Sequence, residues 1–144
     1  MRWDIENQLS AAQAWTATAV STNSYQKQSA AQDISIGRQY SIIVIPTVAA
    51  GAGSTHTLAA VQADVTALTT NIEVLASIVV LAAALTVGSV HEIPIPQGVM
   101  DRLHLGFRNT IANGTTTLTA DVWLVPSDEV PRYKSFAKVV TAEV

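Results

Sequence analysis

Asp101–Val125, DRLHLGFRNTIANGTTTLTADVWLV, is the stretch that decides the fold. In its first half Leu103, Leu105 and Phe107 alternate with Arg102, His104, Gly106 and Arg108. In its second half Leu118, Ala120, Val122 and Leu124 alternate with Thr117, Thr119, Asp121 and Trp123. A strand sends successive side chains to opposite faces, so each half reads as a strand with one core face and one wetter face. The connector Asn109–Thr116 holds Asn113-Gly114, a pair that accepts the positive φ of a tight turn. The pattern predicts two strands joined by a loop in an antiparallel architecture.

The same alternation extends outward. Tyr40–Pro46, YSIIVIP, is β-branched and almost wholly apolar, which predicts a strand buried on both faces and ended by Pro46. Ala49–Ser54, AAGAGS, reads as a flexible hairpin tip. Thr55–Asp64 then puts Leu58, Ala60 and Gln62 on one face and Thr57, Ala59, Val61 and Ala63 on the other. Side chains that small imply close approach of a neighbouring sheet or subunit. Asp64–Ile72 is polar and reads as a loop. Glu73–Ser77, Ile78–Leu81 and Leu85–Val87 read as short strands around alanine-rich bends, with a helix over Val74–Leu85 as the alternative. Glu92–Pro96, EIPIP, lacks ladder donors at alternate positions, which predicts an edge strand or an extended lead-in.

Towards the ends the signals are weaker. Trp15–Val20, WTATAV, alternates as a strand, and Ser21–Ser24 reads as a turn. Met1–Ala14 sets Ile5, Leu9 and Ala12 at helical spacing, and an extended arm fits as well. Pro126 and Pro131 mark off a tail with Arg132, Lys134 and Lys138, outside the main core. Short strands with turn signals between them predict an all-β fold, an antiparallel β-sandwich or jelly roll with extended N- and C-terminal arms. The expected divisions are an N-terminal arm or short helix over 1–14, a jelly-roll domain over 15–126 and a C-terminal arm over 127–144.

Composition narrows the function. A chain of 144 residues is long enough for one domain with a substantial core. Charged residues are 13%, against roughly 25% in an ordinary soluble domain, and mean hydropathy is +0.30. Such a surface is coated with Thr, Ser, Asn and Gln, or is covered by partners. The net charge of −3 argues against nucleic-acid binding, which draws on a basic patch to neutralise phosphates. The absence of cysteine removes disulfides, thiolate zinc sites and cysteine nucleophiles. The opening MRWDIENQLS has acids and no apolar run, unlike a secretory signal. Val74–Val90 is uncharged but interrupted by Ser77, Thr86, Gly88 and Ser89, with no flanking Lys or Arg cluster. It reads as a buried strand pair or core segment, and no membrane partner is expected.

The search for chemistry returns no GxSxG elbow, HExxH pair or Walker loop, and Gly51-Ala52-Gly53 lacks the lysine of a phosphate cradle. His56, His91 and His104 lie at no ligand-like spacing and read as surface histidines. Asp33, Asp64, Asp101 and Asp121 are scattered, with nothing to fix an acid/base pair. The expectation is a protein that is not an enzyme, with no catalytic, metal or cofactor-binding residues. Trp123 stands opposite the packing positions Val122 and Leu124, which favours burial at a subunit interface over ligand stacking.

Asp4–Asn23, DIENQLSAAQAWTATAVSTN, resembles the opening of the jelly-roll capsid cement (decoration) proteins of tailed bacteriophages. The matching elements are Ser10-x-Ala12-Gln13-Ala14, Thr16-x-Thr18 and Ser21-Thr22-Asn23. Asp33-Ile34, Gly37, the Leu81, Leu85 and Gly88 spacing, Pro94-x-Pro96-x-Gly98, Leu103-x-Leu105 and the final strand Leu118–Val125 look like the same pattern. The resemblance covers most of residues 4–126. It implies a non-enzymatic virion protein, made in the host bacterial cytoplasm and placed on the capsid exterior. Such a protein stabilises the mature head by bridging neighbouring major capsid proteins, and partners itself as a homodimer or homotrimer. Aromatic and aliphatic placement near the ends makes Trp3, Leu9 and Trp15, with Tyr133, Phe136 and Val139, the interface candidates. Two other readings stay open: a carbohydrate-binding β-sandwich of a phage fibre or host-attachment protein, and a small metal-dependent jelly-roll enzyme.

Overall fold

A computed structural model describes residues 8–27 and 38–131. Among these residues nine strands run in chain order: β1 (Gln8–Trp15), β2 (Ala19–Val20), β3 (Tyr25–Gln26), β4 (Tyr40–Val48), β5 (Thr55–Ala63), β6 (Glu73–Leu81), β7 (His91–Pro94), β8 (His104–Ala112) and β9 (Leu118–Pro126). They form two antiparallel sheets. One has the order β1-β9-β4-β7 and the other β2-β8-β5-β6, with β3 also paired to β8. Because β2 and β3 pair with successive parts of β8, they act as one interrupted strand. The fold therefore has two four-stranded layers, and every connection but β5–β6 crosses between them. That winding is a jelly-roll β-sandwich.

The core follows from the alternation. Ile42 and Val44 of β4, and Leu118, Ala120, Val122 and Leu124 of β9, face Leu58 and Ala60 of β5 and Leu105 and Phe107 of β8 in one cluster. Each buried Leu or Ile there stabilises by about 1.5–3 kcal/mol relative to exposure. Tyr40–Pro46 is buried on both faces as its sequence predicts, with Ile43 in a second cluster on the outer face beside Trp123, Val125 and Val130. Pro46 does not end the strand; a register shift between Pro46 and Val48 absorbs it.

Several expectations are corrected. The two strands of the opening stretch exist, but β8 and β9 lie in different sheets, so the connector crosses the sandwich instead of closing a hairpin. Ala49–Ser54 is likewise a crossing between sheets. The two crossings pack together: Thr116 N–H donates to Ser54 Oγ at 3.1 Å. At Gly114 an added Cβ would lie 2.7 Å from the Gly53 carbonyl oxygen, so only glycine fits that approach. The strand predicted over Trp15–Val20 instead ends at Trp15. Residues 8–14, expected in an arm, form β1, which pairs with β9 inside the first sheet. At the other end, Ser127–Glu129 form a short 3-10 turn, and Val130 packs on the sheet beside Trp123. Residues 8–14 and Val130 thus pack with the sandwich, outside the limits expected for it. The pieces expected over Glu73–Leu81 are one nine-residue strand. Leu85–Val87, expected as a strand, follows a 3-10 turn at Ala82–Ala84 and is not one. His91–Pro94 is an edge strand, as its prolines predict.

Candidate functional site

The side chains expected to carry contacts fall into two groups. Leu9 and Trp15 lie on β1 and are buried in the main core. Trp15 meets Phe107 edge-on, with centroids 5.3 Å apart at 79°. Both side chains are taken up in the domain's own packing. Trp3, Tyr133, Phe136 and Val139 lie outside the described residues. Trp123 is 9% exposed and covered by Val130 of its own chain, which supplies the burial expected from a subunit interface. Among the described residues, neither Trp15 nor Trp123 offers a free ring for sugar stacking.

The polar groups hold loops. His56, expected at the surface, is buried, with Nδ1 3.2 Å from Asn109 Oδ1 and Nε2 2.9 Å from Thr116 Oγ1. Burial lowers its pKa from the ordinary 6.5, partly opposed by the Asn109 hydrogen bond. His104 is also buried, 3.3 Å from Ser24 Oγ. It pairs with Ala63, at the opposite end of β5 from His56, and His91 lies in the other sheet. No group of three or more His, Cys, Asp or Glu among the described residues is placed to hold a metal.

The aspartates are equally separate. Asp121 Oδ1 accepts the Ala12 N–H at 2.6 Å, where β1 bulges and Ala12 takes φ +47°. Asp64 accepts from the Asn71 side chain and from Arg102; the Asn71 hydrogen bond is the larger cause of its lowered pKa. Asp101 accepts from Gln62 Nε2 at 2.7 Å. Gln62 is saturated: Nε2 also reaches the Val99 carbonyl at 3.1 Å, and Oε1 accepts from the Asp101 and Arg102 N–H groups at 3.0 and 3.1 Å. One buried amide thereby fixes the β7–β8 connection.

Among the described residues, large aliphatic side chains are also exposed. Val74, Val79 and Leu81 of β6, with Val87 and Val48, are exposed, Val79 to 70% and Leu81 to 65%. On β6 the residues paired with Ala59, Thr57 and Thr55 are Ser77, Val79 and Leu81, which places these three on the outer face of the second sheet. The alternate β5 residues His56, Leu58 and Ala60, paired with Val80, Ile78 and Ala76, are the inward set. The charge-free run Val74–Val90 is the signal for this surface, although its lack of charge points equally to a core segment. The small residues Ala59 and Ala63 cluster with Val61 and with Leu68 of the β5–β6 loop.

The candidate site is therefore a contact surface centred on β6. No curated protein matches the chain. The Bbp16 family model matches residues 9–123, a span that runs from β1 into β9 and takes in strands of both sheets. The chain accordingly belongs to the Bbp16 family, a family of phage type.

Proposed function

We propose that this protein is a non-enzymatic virion component that seats on the outer surface of an icosahedral phage capsid and bridges neighbouring major capsid proteins, stabilising the mature head. The phage-type family supports the setting. The observation that carries the reading is the exposed aliphatic outer face of β6, Val74, Val79 and Leu81, on a sandwich where His56, Asp101 and Asp121 are engaged within the chain's own fold. Docking such a surface strips no charge of its water, so contact area contributes without that penalty. Many modest contacts on one oligomer then reinforce each other through effective concentration.

Co-sedimentation of the full chain with mature and immature capsids of its own phage tests the reading. The expected result is saturable binding to the mature shell at a fixed ratio to the major capsid protein. Absence of binding to either shell removes the proposal.

A further inference from the structure

Lys27, Arg38, Arg102 and Arg108 are the Lys and Arg side chains among the described residues. The first three are engaged within the chain. Lys27 Nζ donates to the Met100 carbonyl at 2.9 Å. Arg38 meets Asp128 and Glu129, and Arg102 meets Asp64 and Glu73. Arg108 forms no ion pair among the described residues, and its Nε is buried without a hydrogen-bond partner. A guanidinium N–H held away from water without an acceptor is destabilising in the free protein, and an arriving anion relieves that cost.

The arginine stands in the middle of β8, between Val20 of β2 and Ala59 of β5, with which it pairs. Ala59 is on the outer face of the second sheet, and the chain neighbours Phe107 and Asn109 are buried, so the half-buried Arg108 belongs to the outer face. The next pair on that face is Thr57 with Thr110, and Ser77 lies beyond Ala59 in the row of the arginine. Thr57 also pairs with the exposed Val79, so a single cation adjoins the aliphatic face of β6.

We propose that Arg108 takes a carboxylate of the major capsid protein and so fixes the register in which the β6 face seats on the shell. The inference rests on the capsid-binding reading and supplies its specificity. Aliphatic contact is non-directional and does not select one seat over another, whereas a bidentate guanidinium–carboxylate pair does. The acceptor follows from charge. Glu73 is the one acid in the strands of the second sheet, and it is joined to Arg102. A second copy presenting this same face therefore has no free carboxylate to offer, and the acid comes from a different protein.

The test is co-sedimentation of the full chain with mature capsids of its own phage over a salt series, with three substitutions. Arg108→Glu sets carboxylate against carboxylate and is expected to weaken shell binding at least about 30-fold. Arg108→Met keeps much of the stem and removes the cation; it is expected to weaken binding at least about tenfold and to flatten the salt dependence. Its protomer is expected to melt no lower than the parent, because no ion pair among the described residues is lost. A lowered midpoint would assign the arginine to the protomer's own stability and overturn the inference. Arg108→Lys brings an amine that a zero-length carbodiimide couples to a carboxylate in contact with it. The coupled peptide, read by mass spectrometry, is expected to belong to the major capsid protein. Coupling to this chain, within one copy or between two, overturns the inference, as does no coupling in the bound variant or parent-like affinity of R108E and R108M. A parent that binds no shell removes the capsid reading and this inference with it, whereas a parent and variants that bind alike remove this inference alone.

Discussion

His56 shows how a group that invites a chemical reading becomes structural. It starts β5 on the inward face, between Asn109 and Thr116, where water is excluded and a charged ring is disfavoured. The folded ring therefore holds its proton less readily than the ordinary 6.5. Above that pH both folded and unfolded forms are neutral, and the site adds no pH dependence. As pH falls through 6.5 the unfolded chain takes up a proton that the folded chain refuses, so stability declines. The decline stops only where the folded ring itself protonates. Denaturant melts between neutral pH and pH 5 are expected to show this loss, and His56→Gln to flatten it relative to the parent. An equal slope in both proteins would assign the effect elsewhere. Nothing in the sequence around His56 distinguishes it from a surface histidine, because its partners lie 53 and 60 residues away.

Strands were legible where one face is apolar and the other is not. Leu58, Ala60 and Gln62 are inward, and Ala59, Val61 and Ala63 outward, as their alternation predicts. Which sheet a strand joins was not legible. Asn113-Gly114 suits a tight turn within one sheet, yet the same loop here carries the chain from one layer to the other, because β5 and β2 claim the two edges of β8. The exposure of β6 was hidden for a related reason: an uncharged strand reads alike whether a core or another chain covers it. Loop Asp64–Ile72 reads in sequence as a polar connection, but Leu68 at φ +56° folds back and is fully buried over Gly106. A Cβ at Gly106 would lie 2.2 Å from Leu68 Cδ1, so Gly106→Ala must displace the buried Leu68 side chain. The expected cost is about 1–3 kcal/mol, measured by denaturant unfolding. Adding Leu68→Ala to this variant makes room and is expected to cost less than the sum of the two single changes.

Taken together, the sandwich brings its first and last strands side by side. Gln8 lies opposite Trp123, three residues before the end of β9, so the start of β1 and the end of β9 are about 10 Å apart along the sheet. A circular permutant that joins the two ends by a flexible linker and opens the chain between Asn113 and Gly114 is expected to melt cooperatively with native near-ultraviolet dichroism. A permutant lacking fixed tertiary signals would show that the β8–β9 crossing must stay covalent. The adjacency of β1 and β9 also has a mechanical meaning. Antiparallel neighbours gripped at the same end come apart like a zip, one hydrogen bond at a time, whereas strands dragged lengthwise past each other must break all their bonds at once. Tension applied at the start of β1 and the end of β9 thus finds this strand pair at its softest. Load entering along the length of a sheet edge would meet it at its stiffest.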